Sequence, residues 1–162
     1  MIVPVPKNKN ATELNDFRPV ALTCWDMKVF ETVVLKQLRR LIPAGHDSYQ
    51  FAYQKNRCTD DALSILFHRI LTHLEQKDSY ARVLFVDFSS AFNTIVPVQL
   101  YEKLLSQFDL PTTLCKWIHD FLLGRVQRVR IGSKYSSPIV INTGTPQGCV
   151  LSPTLFTLFT SD

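Results

Sequence analysis

The sequence predicts a mixed α+β fold in which helices pack on a small, mostly antiparallel sheet. Three observations predict it. Apolar residues recur at helical spacing in several separated segments, ARVLFVDF is a near-continuous apolar run of strand length, and Arg125 to Asn142 reads as two extended runs around a glycine turn. The 162 residues are 46% apolar and 20% charged, which suits one globular domain with a sizeable core. A second complete domain of usual size does not fit this length.

The chain opens extended, with β-prone runs at Ile2 to Val5 and Val20 to Thr23, where Pro4, Pro6 and Pro19 exclude helix. Val29, Phe30, Val33, Val34, Leu38 and Leu41 predict a first helix over Asp26 to Leu41. Lys36, Arg39 and Arg40 stand near its end, where the macrodipole favours cations, and Pro43 and Gly45 stop it. A second helix begins at Thr59, read as its N-cap, with Asp60 and Asp61 in the first turn. Leu63, Leu66, Phe67, Ile70 and Leu74 form its expected buried stripe. ARVLFVDF, residues 81–88, then reads as a strand buried on both faces. Short helices follow at Val98 to Phe108 and Thr112 to Leu123, the latter ended by Gly124. Arg125 to Ile131 and Pro138 to Asn142 make a hairpin turning at Gly132 and Ser133. The loop TGTPQGCVL leads to Ser152 and Pro153, an N-cap and a first-turn proline, and to a last apolar helix.

The formal charge is 18 − 14 = +4. Lys116, Arg125, Arg128, Arg130 and Lys134 against Asp120 account for 5 − 1 = +4 between Lys116 and Lys134 alone. Cations clustered this way neutralise backbone phosphates, or simply solvate a strand face. Cys24, Cys58, Cys115 and Cys149 lie far apart and form no C-x-x-C pair, so no zinc site is read and free thiols in a reducing interior are expected. No apolar run is long enough to span a bilayer, and no membrane partner is expected.

Four features bear chemistry. Asp87 ends an apolar run, where an unpaired buried carboxylate costs several kcal/mol. It is either an N-cap for a turn beginning after Phe88 or an oxygen ligand for Mg²⁺. Phe92, beyond a small-residue turn of Ser89, Ser90 and Ala91, is either core or the floor of a nucleotide pocket that excludes a ribose 2′-hydroxyl. Gly144, Pro146 and Gly148 constrain a loop that presents Gln147 and feeds a helix N-terminus. That loop is no Walker A motif, since Lys-Ser/Thr is missing from the required place. Arg18, next to Pro19, is a surface arginine or a rigid bidentate phosphate contact.

Taken in order, IVPVPK, NDFRPVALT with KVFE, QFAYQKNRCTDDA, VLFVDFSSAFNTI and TGTPQGCVLSPTLF resemble the fingers and palm of the reverse transcriptases of non-LTR, LINE-type retrotransposons. The resemblance runs over essentially the whole chain, and the last two stretches are the family's most specific signatures. It implies a fragment of a polymerase right hand, with fingers and fingers–palm helices over about residues 1–80 and an incomplete palm over about 81–162. The activity implied is RNA-directed DNA synthesis from deoxynucleoside triphosphates on an RNA template with a DNA primer. Two Mg²⁺ ions serve as cofactor.

By the same resemblance Asp87 is the first metal-binding aspartate, and Phe88 offers its backbone carbonyl to that metal. Phe92 falls at the steric gate that selects deoxynucleotides. Arg18 matches the arginine that holds the incoming triphosphate, with Lys7 and Lys9 as lesser partners. Gln147 packs against nucleotide and template, and Gly148 gives it room. Arg57 tracks the template; Arg125 and Arg128, taken from the basic stretch by their charge, are expected on the template–primer with it. An intracellular site, nucleus or cytoplasm, is implied as well. Departures exist: Asn93 replaces a common aspartate, and Ala52-Tyr53 stands where Gly-Phe is usual. The family's second catalytic motif, Ala-Asp-Asp on a tight hairpin, is expected just beyond Asp162, with thumb and endonuclease outside these residues too. This chain alone is therefore expected to polymerise nothing, and the strand ending at Asp87 to show an unpaired edge. Two alternatives stay open: a non-catalytic nucleic-acid-binding remnant, and a relative such as a group II intron maturase.

Overall fold

The computed structural model describes residues 1–43, 46–88 and 90–161. Gly45, Ser89 and Asp162, each given a place in the sequence pattern above, lie outside them. In chain order the elements are β1 (Ile2–Pro6), β2 (Phe17–Ala21), α1 (Trp25–Leu41), α2 (Thr59–Leu74), α3 (Pro97–Ser106), α4 (Thr112–Leu122), β3 (Arg125–Gln127), β4 (Arg130–Ile131), β5 (Lys134–Tyr135), β6 (Ile139–Ile141) and α5 (Ser152–Thr160). The architecture is α+β, as expected. Residues 1–43 and 90–161 make one compact unit and residues 46–88 another.

In the first unit, β1 and β2 pair antiparallel from Ile2–Ala21 to Pro6–Phe17. Leu22 N–H bonds the Met1 carbonyl, and Lys7 N–H bonds the Asp16 carbonyl. These bonds set the phase of the ladder, so that Pro4, Pro6 and Pro19 occupy non-hydrogen-bonded positions where a missing N–H costs nothing. Asp16 closes the connection by accepting the N–H groups of Thr12 and Glu13, each at 3.0 Å. Those two bonds hold its carboxyl below the usual range.

The core gathers Val34 and Leu38 of α1, Leu100 and Leu104 of α3, Ile118 of α4 and Leu155 of α5. Each such side chain contributes about 1.5–3 kcal/mol by leaving water. Only part of the predicted stripe of α1 is inward. Its buried positions are Glu31, Val34, Leu35 and Leu38, whereas Val29, Phe30 and Val33 are exposed. The period was legible, but a charged residue at 31 disguised the buried face. The helix α5 starts one residue earlier than expected, with Leu151 at the N-cap position and Ser152 already helical.

Among the described residues the expected single small sheet is instead three two-stranded antiparallel ribbons, β1–β2, β3–β6 and β4–β5. The predicted hairpin forms but breaks in two, because Ser136 interrupts its ladder. Its Oγ accepts the Val129 N–H at 2.9 Å, and its own N–H returns to the Val129 carbonyl.

The second unit contains α2 and its flanking turns. Cys58, not Thr59, holds the N-cap position, and its N–H donates to Asp61 at 2.8 Å. No residue of α2 is buried, so the expected stripe is a correction: Leu63, Phe67 and Leu74 are exposed and Leu66 and Ile70 half-buried. A larger correction concerns residues 81–88, which form no strand and are exposed throughout, with Leu84 at 86%, Phe85 at 81% and Val86 at 75%. A strand is defined by lateral pairing, and the described residues of this unit include no second extended segment to pair with. No helix among the described residues is long and apolar enough to cross a membrane.

Candidate functional site

Several of the residues singled out in the sequence lie on or beside the loop joining β6 to α5, and that loop is fastened on three sides. On the first, Gly144 N–H donates to the Ile95 carbonyl and Thr145 N–H to the Phe92 carbonyl, both at 2.7 Å. The approach is close enough that a Cβ on Gly144 would lie 2.8 Å from Asn93 Cα and from the Phe92 oxygen. With φ at +66° as well, the position takes glycine.

On the second side, the Gln147 carbonyl accepts the N–H of Ala21 at 2.7 Å, at the end of β2. A Cβ on Gly148 would sit 3.4 Å from Val20 Cγ1 and from the Ala21 oxygen. Side chains two apart along a strand share a face, so Arg18, exposed, stands on the face of β2 whose Val20 meets Gly148. The third side is α1. Fully enclosed Glu31 accepts the N–H groups of Val150 and Leu151 on one carboxylate oxygen, at 2.6 and 3.2 Å. Its other oxygen has no hydrogen-bond partner among the described residues.

Inside the loop Ser152 acts as a hub. Its hydroxyl donates to the Pro146 carbonyl at 2.6 Å, which leaves the Thr145 hydroxyl and the Cys149 thiol to donate to it. Burial pushes the Cys149 thiol above its ordinary value.

Phe92 is half-buried, its ring edge-on to Phe156 of α5 at 5.7 Å, so packing holds it while its carbonyl holds the loop. Arg125 is a brace. Its Nε donates to the Leu122 carbonyl at 2.9 Å, and one terminal nitrogen donates to the Thr143 and Gly144 carbonyls at 2.6 and 2.8 Å. Burial draws the guanidinium below its ordinary pKa. Arg128 is exposed, with its carbonyl accepting the Ile2 N–H at 2.7 Å. Lys7 donates to the Asn15 carbonyl at 2.6 Å, and Lys9 is exposed.

The remaining candidates belong to the second unit. Asp87 and Phe88 are exposed on the irregular segment 81–88. Asp87 is not the cap of the short 3-10 turn Ala91–Asn93, whose N-cap position is Ser90. Arg57 lies over the Phe51 ring at 5.5 Å. No three His, Cys, Asp or Glu side chains gather as a metal site among the described residues.

Sequence pattern alone gave no role to Glu31. The signal was there: a carboxylate on the same helical stripe as Val34, Leu35 and Leu38.

Residues 5–162 match the family described as reverse transcriptase (RNA-dependent DNA polymerase). Among curated proteins, the chain is 29% identical over 152 residues to the probable RNA-directed DNA polymerase from transposon BS of Drosophila melanogaster, a match covering 90% of this chain and 16% of that protein. It is 30% identical over 156 residues to the probable RNA-directed DNA polymerase from transposon X-element of the same fly. The RNA-directed DNA polymerase from mobile element jockey, also of that fly, matches equally, at 30% over 156 residues. Each of the latter two matches covers 95% of this chain and 17% of the relative.

Proposed function

The chain belongs to the reverse transcriptase (RNA-dependent DNA polymerase) family, and from that premise we propose that it supplies the deoxynucleotide-binding part of an RNA-directed DNA polymerase carried by a LINE-type mobile element. The curated relatives are polymerases of transposons and mobile elements, in keeping with the LINE-type resemblance. The chain spans 16–17% of their length, so the reaction proposed is that of a longer protein.

In this reading the chain is part of a polymerase right hand, with RNA template, DNA primer and deoxynucleoside triphosphates as its partners. A primer 3′-hydroxyl attacks the α-phosphate of the deoxynucleotide and pyrophosphate leaves. Arg18 holds the triphosphate, Phe92 blocks a 2′-hydroxyl, and Gln147, with room given by Gly148, lies along the nascent pair. Arg57 and Arg128 meet the nucleic-acid backbone. Arg125 is proposed with them, although three carbonyls already occupy its guanidinium. The observation that carries the reading is the set of 2.7 Å main-chain bonds that draws β2, residues 92–95 and the Gln147 loop into one rigid frame. Positioning of this kind accounts for much of phosphoryl-transfer catalysis.

Reverse transcriptases use divalent metal ions, and the proposal for the longer polymerase is two Mg²⁺. Asp87 and the Phe88 carbonyl are hard oxygen donors of the right type. They do not fit the ion by themselves, because the described residues bring no three acidic, His or Cys side chains together. No step is therefore derived through a metal.

A second reading, a nucleic-acid-binding module without catalysis, is favoured by one feature. From Phe121 to Ser161 the chain has Arg125, Arg128, Arg130 and Lys134 and not one carboxylate side chain. Primer extension on an RNA template by the full-length protein decides between them. The polymerase reading expects Phe92→Ala to admit ribonucleotides at least about tenfold more readily relative to deoxynucleotides. Duplex binding without any extension would favour the module.

A further inference from the structure

Glu31 is the one charged side chain on the buried stripe of α1, among Val34, Leu35 and Leu38. A leucine there would match its neighbours and avoid the cost of taking a carboxylate out of water. What the carboxylate touches is specific: the Val150 and Leu151 amides, at 2.6 and 3.2 Å, which lie between Gln147 and the first residue of α5. A carboxylate is favoured there because the start of a helix carries unpaired N–H groups and partial positive charge.

The other two fastenings of the loop act upstream of that point, through Gly144 and Thr145 to residues 92–95 and through the Gln147 carbonyl to Ala21. Downstream of Gln147 the hydrogen-bonded tie to another element among the described residues is Glu31, beside the packing of Cys149 and Leu151 in the core. The loop thus turns about Gln147 with one end fixed by main-chain bonds and the other by a buried acid from a helix far away in sequence. We propose that Glu31 is a positioning residue for Gln147 and Gly148, setting the depth of the deoxynucleotide pocket without touching the nucleotide. This rests on the proposed polymerase reading for the role of Gln147, whereas the loop anchor itself does not.

Two arms test it. In the 162-residue chain, Glu31→Leu is expected to speed amide exchange at Val150 and Leu151 by about tenfold or more relative to Leu155 and Leu158, and Glu31→Gln, which keeps one weaker acceptor, by about threefold. In steady-state primer extension by the full-length protein, Glu31→Leu is expected to raise the deoxynucleotide KM about tenfold with kcat within about threefold, and Glu31→Gln to restore most of that KM. Equal exchange at Val150 and Leu151 in wild type and Glu31→Leu overturns the anchor. A collapse of kcat at unchanged KM overturns the positioning role. Should Glu31→Leu fail to fold, a Glu31→Gln protein identical to wild type in both arms assigns Glu31 to stability alone and also overturns the proposal. Absence of any extension removes the polymerase reading, and the exchange arm then judges the anchor by itself.

Discussion

Gly144 and Gly124 form a matched pair from which the tightness of the loop is measurable. Both adopt left-handed backbone, with φ at +66° and +61°. They differ in what a methyl group would meet: nothing within 4 Å at Gly124, and two main-chain atoms at 2.8 Å at Gly144. Alanine at Gly124 therefore carries only the left-handed penalty, about 1 kcal/mol. Alanine at Gly144 carries the same penalty and also forces residues 143–145 away from residues 92–95 by several tenths of an ångström. That movement strains the bonds from Gly144 to Ile95 and from Thr145 to Phe92, both now 2.7 Å, each contributing about 1 kcal/mol. The expected loss is about 2–4 kcal/mol at Gly144 against about 1 at Gly124. Urea unfolding followed by the fluorescence of Trp25 and Trp117, both in the first unit, reads the difference directly provided the denaturant slope is unchanged. If the two variants lose stability equally to within about 0.5 kcal/mol, the close approach at residues 92–95 is not what secures the loop.

The arginines and the thiols carry the further expected outcomes. Arg125→Ala should cost about 2–4 kcal/mol of stability by leaving the carbonyls of Leu122, Thr143 and Gly144 short of a donor. Arg128→Ala should leave the urea midpoint alone and lower the salt slope of binding to an RNA–DNA duplex by about 1; the opposite pattern would exchange their roles. The thiols should divide by burial, Cys24 and Cys58 reacting quickly with a disulfide reagent and Cys115 and Cys149 only as fast as the fold opens. Burial raises the pKa of both enclosed thiols above their ordinary value of 9.0, so the unfolded chain ionises first. Their contribution is intact below that pH and is lost as pH climbs past it, which a series of urea midpoints from about pH 8 to 10.5 would show; a flat series would mean the thiols are not enclosed.

Much of the fold was legible where local chemistry decides it. The helices α1 to α4 begin and end close to where periodicity, proline and glycine put them, because capping and spacing are properties of neighbouring residues. What failed was whatever depends on remote partners. Residues 81–88 have the composition of a buried strand, but composition cannot supply a neighbouring strand, and the same holds for the unburied stripe of α2. The face of α1 was misread because Glu31 was left off the apolar stripe, when amides more than a hundred positions later make it a buried residue. Phe92, Gln147 and Gly148 were singled out because glycine, proline and an isolated aromatic are locally conspicuous. Arg125 was drawn to nucleic acid by its charge alone, since the carbonyls it braces are visible only in three dimensions.

The prolines of the first ribbon carry a consequence for sequence change. Sliding β2 past β1 by one residue would turn Pro19, or Pro4 and Pro6 together, toward the partner strand, where each lacks a hydrogen to give. Misalignment is thereby penalised at every odd offset, and the hairpin keeps one parity however long the connection between its arms becomes. Insertions and deletions within residues 7–16 should be absorbed by that connection, leaving the arginine at 18 on an unaltered side of the ribbon.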